Sequence, residues 1–496
     1  MPDLPDLPRW LLELLFVAYA LVITGTVMLE RRRPASTLAW VLAMIFLPIL
    51  GLLAYLLVGR RRVRKRVRLR ERRAIRPLDT TREVAAIDCP DDLPPLQLGL
   101  IRLALRTAAA PLRRADQAQI LSRPAESFAA MEAAIRAAKR NICLEFYIWR
   151  GDATGERWIE LLIERARAGV KVRLLYDDFG SLGTRRELFD RLRAAGGEVF
   201  SFGPLRLRLR PRKSRINFRN HRKILTVDGE IGFLGGLNIG DEYIGRDPSG
   251  RQWHDLLVCL TGDAVFGLDA IFFEDWFAAV PDAAGLRLDD AEHAKRLGLD
   301  DLYARERGDS TGPLLQVIPS GPDLPTSYTI AAQFTAAISV AQRRCWIATP
   351  YFVPDEPLML ALTTAAYRGV DVRLLMPSPS NSDSRLVGLA GRAYYDELLA
   401  AGCRIFEYQQ GMIHAKCLII DGEVAAIGSA NMDIRSFYLN YEVTAMFYNA
   451  AVTDQLASIF AEHLERTLEI RAATRADLRL SERLGESFAK VLSPLL

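Results

Sequence analysis

Six cysteines are scattered through 496 residues without one Cys-x-x-Cys pair. The chain therefore encodes neither a zinc knuckle nor a disulfide framework, which fits a reducing compartment. Cys143 and Cys345 fall in apolar, strand-like runs and read as core. No His, Cys, Asp or Glu cluster has metal-ligand spacing, so no metal is expected. No nucleotide-binding motif or other cofactor signature is present either. Histidine is rarer still, at five residues. The N-terminus lacks the basic start of a signal peptide, carrying Asp3 and Asp6 instead, and no small-x-small cleavage site follows the first apolar run. Low-complexity tracts are absent.

Charge is missing from two long stretches, residues 14–29 and 35–59. About 20 apolar residues suffice to span a bilayer, so two retained helices are expected, at about 10–29 and 36–59, as a transmembrane hairpin. Residues 60–73 then carry ten Arg or Lys against one Glu, in a chain of net charge +5. The remainder of the chain is therefore net acidic. A basic cluster at a membrane exit suits anionic lipid headgroups and argues against an extended nucleic-acid track. By the positive-inside tendency the larger cluster stays cytoplasmic, giving a multi-pass protein of the cell (inner) membrane with a cytoplasmic catalytic body. Arg31-Arg32-Arg33 opposes this weakly, and leaves a re-entrant segment as the alternative. A second basic run, Arg206 to Lys223, leads toward the first motif described next.

What the chain does contain is a long pattern written twice. His221-Arg-Lys223-(4)-Asp228-(6)-Gly235-Gly236-x-Asn238 returns as His414-Ala-Lys416-(4)-Asp421-(6)-Gly428-Ser429-x-Asn431, 193 residues later, every offset matching. In an extended strand, residues two apart share a face, so each His projects with its Lys. Asp228-Gly229 and Asp421-Gly422 are hairpin signals; an Asp in such a turn serves the turn, which makes both aspartates structural. Ile231–Leu234 and Val424–Ile427 read as return strands. The small pairs let the backbone approach a ligand, and Asn238 and Asn431 add amide donors.

A His, a Lys and an Asn from each half make a donor-rich site that suits a phosphoryl group. Two histidines suit a two-step displacement, one attacking phosphorus and the other moving protons. Each imidazole needs a partner on its second nitrogen. Asp255 and Glu442 open apolar strands about thirty residues after their motifs, and each is expected to hydrogen-bond its own motif's histidine.

The repeat extends upstream, where Gly169-Val-Lys-Val-Arg-Leu-Leu175 matches Gly369-Val-Asp-Val-Arg-Leu-Leu375. Apolar strands (142–149; 345–352) and helical patterns (156–168; 357–368) precede each copy. Strands alternating with helices predict α/β halves with mixed sheets. The expected organisation is a membrane anchor at 1–59, a basic juxtamembrane segment and linker at 60–110, a first half at 111–300 and a second at 301–496.

The duplicated motif resembles that of the phospholipase D superfamily. More narrowly, Gly235-Gly-Leu-Asn-Ile-Gly-Asp-Glu-Tyr243, Ser429-Ala-Asn-Met-Asp-Ile-Arg-Ser-Phe-Tyr-Leu-Asn-Tyr-Glu442 and the anchor stretch Leu38–Gly51 resemble bacterial phospholipase D-type cardiolipin synthases. The resemblance implies two α/β sandwich halves packed about a pseudo-two-fold axis, with both motifs at one site. It implies His221 as nucleophile, His414 as acid/base, a phosphohistidine intermediate and no metal. Lys223, Lys416, Asn238, Asn431 and Ser429 would hold the phosphate, and Asp228 and Asp421 enter as members of the catalytic motif. The implied reaction makes cardiolipin and glycerol from two phosphatidylglycerol molecules. The alternatives are phospholipase D-type hydrolysis, or synthesis from another phospholipid donor. The expected partners are phospholipid and membrane, with no nucleic acid; the oligomeric state stays open, a homodimer included.

Overall fold

The computed structural model describes residues 8–29, 34–55, 93–203, 218–247, 249–280, 311–324 and 326–492. These fall into two compact units, one made of residues 8–29 and 34–55 and the other of the rest. The basic cluster 60–73, most of the run 206–223 and residues 281–310 lie outside the described residues.

In the larger unit the repeat becomes two sheets with the same strand order. The first sheet runs Ala118–Leu121, Leu257–Thr261, Ile231–Gly235, Ile224–Val227, Asn141–Phe146, Lys171–Asp177, Glu198–Phe202. The second runs Leu314–Ser320, Glu442–Phe447, Val424–Gly428, Cys417–Ile420, Arg344–Ala348, Asp371–Pro377, Arg404–Tyr408, with Arg113–Arg114 and Thr467–Ile470 added at its two edges. Both sheets are mixed. The last three strands of each common set are parallel, joined by crossover helices, and the motif hairpins are antiparallel. The crossover helices Ala153–Arg167 and Glu356–Tyr367 start alike: Asp152 and Asp355 accept from the backbone N–H three residues on, at 2.9 and 3.1 Å.

The hairpins form as the sequence predicts. Asp228 and Asp421 take left-handed φ values of 54° and 55°. Each carboxylate then accepts three successive backbone N–H groups from the start of the neighbouring strand. Asp228 takes those of Lys139, Arg140 and Asn141 at 2.7–2.8 Å, and Asp421 those of Gln342, Arg343 and Arg344 at 2.7–2.9 Å. Both aspartates pin a turn at the strand end away from their histidine. Membership of the motif does not place them in the reacting group.

The two sheets share a core. Ile224, Leu234 and Val258 of the first pack in one buried cluster with Ile419, Ile427 and Val443 of the second. One expected boundary moves. The helix Pro95–Ala108 buries Leu100, Ile101, Ala104 and Leu105 in the core of the second half, and Gln316 donates to the carbonyls of Ile101 and Ala110. Residues 95–114 thus complete the second half although they precede the first.

The smaller unit corrects the expected second span. It comprises α1 (Arg9–Met28), α2 (Pro34–Phe46) and α3 (Pro48–Ala54). Ala43 and Gly51 would stand about 12 Å apart along a straight helix. Instead, a Cβ built on Gly51 would lie 2.4 Å from the carbonyl oxygen of Ala43, and Trp40 meets Tyr55 edge-on with ring centroids 5.5 Å apart. The chain reverses at Leu47–Pro48, so 36–59 is not one continuous helix. Among the described residues, no helix is long and apolar enough to cross a membrane, and the multi-pass expectation finds no support here.

Candidate active site

The histidines and lysines of both motifs sit on extended chain immediately before the strands Ile224–Val227 and Cys417–Ile420. Backbone bonds stitch each histidine to the opposite half. His221 N donates to the carbonyl of Tyr441 at 2.9 Å, and His414 N to that of His254 at 2.6 Å. Tyr441 and His254 are the residues just before the two candidate carboxylates.

Those carboxylates therefore cross over. His221 Nδ1 lies 3.0 Å from Glu442 Oε2, and His414 Nδ1 lies 2.5 Å from Asp255 Oδ2. Asp255 and Glu442 are histidine partners, as expected from the sequence, but each serves the other motif's histidine. The correction follows from the packing: Glu442 opens its strand, Asp255 lies between Trp253–His254 and Leu257–Thr261 rather than at a strand start, and both face the opposite half. A carboxylate only accepts, so Nδ1 carries the proton and Nε2 presents its lone pair.

The small residues after the hairpins make room for these carboxylates. A Cβ on Gly236 would fall 2.2 Å from Asp255 Oδ1, so the glycine clears space for a side chain rather than for a ligand. At the equivalent place Ser429 Oγ donates to Glu442 Oε2 and accepts from Val443 N. Ser429 thus orients Glu442 and is not a free phosphate donor. Asn238 is also engaged, accepting from Ile148 N at 3.1 Å and donating to Tyr243 Oη at 2.8 Å. Asn431 Oδ1 is buried without a hydrogen-bond partner.

Both lysines are buried. Lys223 Nζ donates to the His221 carbonyl at 2.5 Å, and Lys416 Nζ to the His414 carbonyl while lying 2.8 Å from His414 Nδ1. Burial lowers Lys223 to about 7 and Lys416 to about 8, against the pull of Glu442 and Asp255. Each lysine feels both carboxylates, which places the two motifs in one electrostatic cluster. Burial lowers His221 to about 4, opposed by Glu442, and lowers His414 as well. Burial alone would raise Glu442, but His221, Lys223 and Ser429 outweigh it and its carboxyl stays below the usual range. At neutral pH the site therefore holds two neutral imidazoles with free Nε2 lone pairs beside lysines near their titration points. Such an arrangement can attack phosphorus and pass a proton.

Aromatic rings wall the histidines, and sequence reasoning missed them. Tyr147 lies 5.0 Å from His221 and carries Lys223 Nζ at 5.4 Å from its ring centroid, while Trp253 lies 5.1 Å from His414. Trp253 precedes Asp255 by two positions on extended chain, a same-face signal that was available. Among the described residues no group of three or more His, Cys, Asp or Glu is placed to hold a metal ion.

The fold and the duplicated site define a phospholipase D-like protein. The family profile described as "Cardiolipin synthase, PLD-like domain" matches residues 131–276 and 334–464, and "Phospholipase_D-nuclease N-terminal" matches 14–60. The chain is 38% identical to a cardiolipin synthase of Geobacillus kaustophilus, covering 98% of this chain and 94% of that one. It is 38% identical to cardiolipin synthase 2 of Bacillus anthracis, covering 97% and 91%. Phosphatidylserine synthase of Haemophilus influenzae shares the fold, with a TM-score of 0.58 at 14% identity over 80% of this chain and 98% of that one. The chain belongs to the phospholipase D-like cardiolipin synthase family.

The crossed pairs predict which step each carboxylate serves. With His221 as nucleophile, Glu442→Gln is expected to slow formation of the covalent enzyme adduct by about 100-fold or more, the scale of losing an orienting carboxylate. Asp255→Asn is expected to slow its resolution instead. Rapid-quench measurement of adduct formation and decay separates the two, and the reverse assignment would show that the cross-half contacts do not govern the chemistry.

The titrations predict a pH window. His221 is neutral above about 4, while Lys223 is cationic below about 7 and Lys416 below about 8. For an anionic phosphodiester, kcat/KM is expected to fall below the first value and above the lysine values. Lys223→Arg, which keeps its charge, should move the basic limb upward; a limb that stays in place refutes the assignment to Lys223.

Proposed function

We propose that this enzyme transfers a phosphatidyl group from one phosphatidylglycerol to the glycerol hydroxyl of another, yielding cardiolipin and free glycerol. The crossed His221–Glu442 and His414–Asp255 pairs carry the reading, supported by family membership over nearly the full chain. In the first step His221 Nε2 attacks phosphorus. A P–N bond forms and the P–O bond to the departing glycerol breaks; His414, which takes up a proton at Nε2 as the anionic donor binds, passes that proton to the leaving oxygen. In the second step the acceptor hydroxyl loses its proton to His414, its oxygen bonds to phosphorus, and the P–N bond breaks. One phosphodiester replaces another, so no nucleotide is required. Lys223 and Lys416 neutralise the non-bridging oxygens. An incoming phosphate also stabilises an imidazolium, which lets a histidine of lowered pKa hold the proton in transit.

Purified enzyme given phosphatidylglycerol vesicles should release glycerol and cardiolipin in equal amounts. His221→Ala should abolish both products and any acid-labile phosphorylated enzyme. His414→Ala should retain adduct formation from a donor with an activated leaving group. Phosphatidic acid as the main product at every lipid density would make the enzyme a hydrolase and end this reading.

The membrane attachment is read from the smaller unit. Leu42, Phe46, Leu47, Ile49 and Leu50 are exposed apolar side chains around the reversal at Pro48, a surface suited to lipid. Pro48 has no N–H, so the Met44 carbonyl loses its helical donor. Tyr19 Oη lies 3.3 Å from that carbonyl and 3.0 Å from the Pro48 carbonyl. An unsatisfied carbonyl in hydrocarbon costs several kcal/mol, and the single proton of this hydroxyl, shared with the Pro48 carbonyl, offsets part of that cost. α2 and α3 therefore act as a re-entrant hairpin that dips into the bilayer and returns to the side it entered. Arg31–Arg33 and the basic cluster 60–73 then share the cytoplasmic face, which reconciles both with the positive-inside tendency. Single cysteines at Arg32 and Arg61 should react with an impermeant maleimide from the same side of oriented vesicles. Labelling from opposite sides would restore a full second span.

A further inference from the structure

The site above accounts for one phosphate, but the proposed reaction brings two to the enzyme. Just before the first motif, Arg219 is only 3% exposed, and neither of its terminal nitrogens has a hydrogen-bond partner. Its guanidinium lies over the face of Phe179, 4.3 Å from the ring centroid. Asp177 Oδ1 is 4.0 Å away, and the Asp177 carboxylate is already occupied by the backbone N–H groups of Phe179, Gly180 and Asn220. Buried guanidinium groups without acceptors are costly and uncommon. A retained one marks a place where an anion can arrive.

Its position is fixed by the same stitching that fixes the nucleophile. Tyr441 N donates to the Arg219 carbonyl at 2.8 Å, and His221 N donates to the Tyr441 carbonyl. Arg219 and His221 thus flank Asn220 on extended chain, where side chains two apart share a side and stand about 7 Å from each other. Tyr147, packed on His221, is within reach of the charges of both Arg219 and Arg435, and those two arginines feel each other. The Tyr147 phenol and the Arg219 guanidinium therefore border His221 on a flank that the transfer chemistry leaves unused.

We propose that Arg219, beside Tyr147, forms an anion subsite for the phosphate of the acceptor lipid. This rests on the reading of the reaction as transfer between two phosphatidylglycerol molecules. The acceptor carries its own phosphodiester three carbons from the attacking hydroxyl. Cardiolipin holds its two phosphates at the ends of one glycerol, a span comparable to the spacing between Arg219 and His221. A guanidinium matches a phosphodiester bidentately. Water has no phosphate to offer, so the subsite favours a lipid alcohol over hydrolysis once the P–N bond has formed.

The test uses two soluble acceptors that differ by one phosphate group. Full-length enzyme with phosphatidylglycerol as donor is offered glycerol phosphate and isotopically labelled glycerol together. The ratio of phosphatidylglycerophosphate to labelled phosphatidylglycerol is then measured. Native enzyme should prefer glycerol phosphate. Arg219→Gln should lower that ratio about tenfold, the scale of a lost charge-assisted hydrogen bond, and Arg219→Lys should recover part of it. Because the readout is a ratio within one sample, loss of folded enzyme cancels. An unchanged ratio in Arg219→Gln, or no preference in native enzyme, overturns the subsite. If native enzyme makes phosphatidic acid but no cardiolipin from the lipid alone, while the ratio still depends on Arg219, the proposed function fails and the subsite stands. Transfer to neither alcohol would overturn both.

Discussion

His221 is held by Glu442 and His414 by Asp255, and both bonds pass from one half of the molecule to the other. Much else in the larger unit follows from this exchange. Neither half can set the tautomer of its own histidine, so a single half has the motif without the site. The backbone enforces the same rule: the N–H of each histidine is committed to a carbonyl of the opposite half. The shared core of the two sheets has to be rigid, because hydrogen-bond geometry tolerates only a few tenths of an ångström and these bonds span the seam. Gly236 and Ser429 belong to the same constraint. One leaves room for Asp255 and the other steadies Glu442, so the step from Gly-Gly to Gly-Ser between copies tracks the carboxylate beside each.

Burying two lysines, two carboxylates and two histidines together is costly. Opposite charges about 4 Å apart recover on the order of 4 kcal/mol at an effective dielectric of about 20. That is comparable with the several kcal/mol lost when each ion leaves water. The lysines register the shortfall, since burial drives both far below the ordinary lysine range despite two nearby carboxylates. A phosphodiester adds a further negative charge beside the lysines and favours their charged forms. Binding an anion is thus coupled to charging the lysines, and the binding energy so gained is available at the reacting centre.

Much of this was legible in the chain. The duplicated motif gave the hairpins, the turn role of Asp228 and Asp421, the repeat of strand and helix, and the two carboxylates. Each is a local signal, carried by spacing or by a turn residue. Which carboxylate serves which histidine was not legible, because Asp255 and Glu442 follow their motifs at comparable distances and only the packing of one sheet on the other decides. The membership of Pro95–Ala108 in the second half is equally non-local: its apolar face fits any core, and Gln316 selects it from more than two hundred residues away. The reversal at Pro48 was written in the chain, since a proline inside a charge-free run breaks a helix. Hydropathy hid it, because it counts apolar residues and ignores the missing N–H. Tyr147 and Arg219 carry no motif, and their places beside His221 appear only once the opposite strand is in place.

The two copies are not equivalent beneath their histidines, and the difference bears on which one attacks. Around His221 the motif continues with Asn220 and Arg222; around His414 the same places hold Ile413 and Ala415. Arg222 is fully buried. Its Nε donates to the Glu442 carbonyl at 3.0 Å, one terminal nitrogen reaches the Ser320 carbonyl at 3.1 Å, and the other pairs with Asp275. Asn220 bridges Asp275 and Glu145, whose carboxyl is pushed well up by burial and by Asp275. The Glu442 arm is therefore fixed twice, by Ser429 and Asn440 at its carboxylate and by Arg222 at its backbone. The Asp255 arm has fewer ties: its carboxylate accepts from Leu256 N at 2.8 Å and faces Lys416 Nζ at 3.8 Å, on the ribbon in which Met412–Ile413 pair with Trp253–His254. A nucleophile must keep one ring position while a bond to phosphorus forms and then breaks. An acid/base must serve a departing oxygen and then an arriving one. The stiffer bed lies under His221, which favours it as the nucleophile and His414 as the proton carrier.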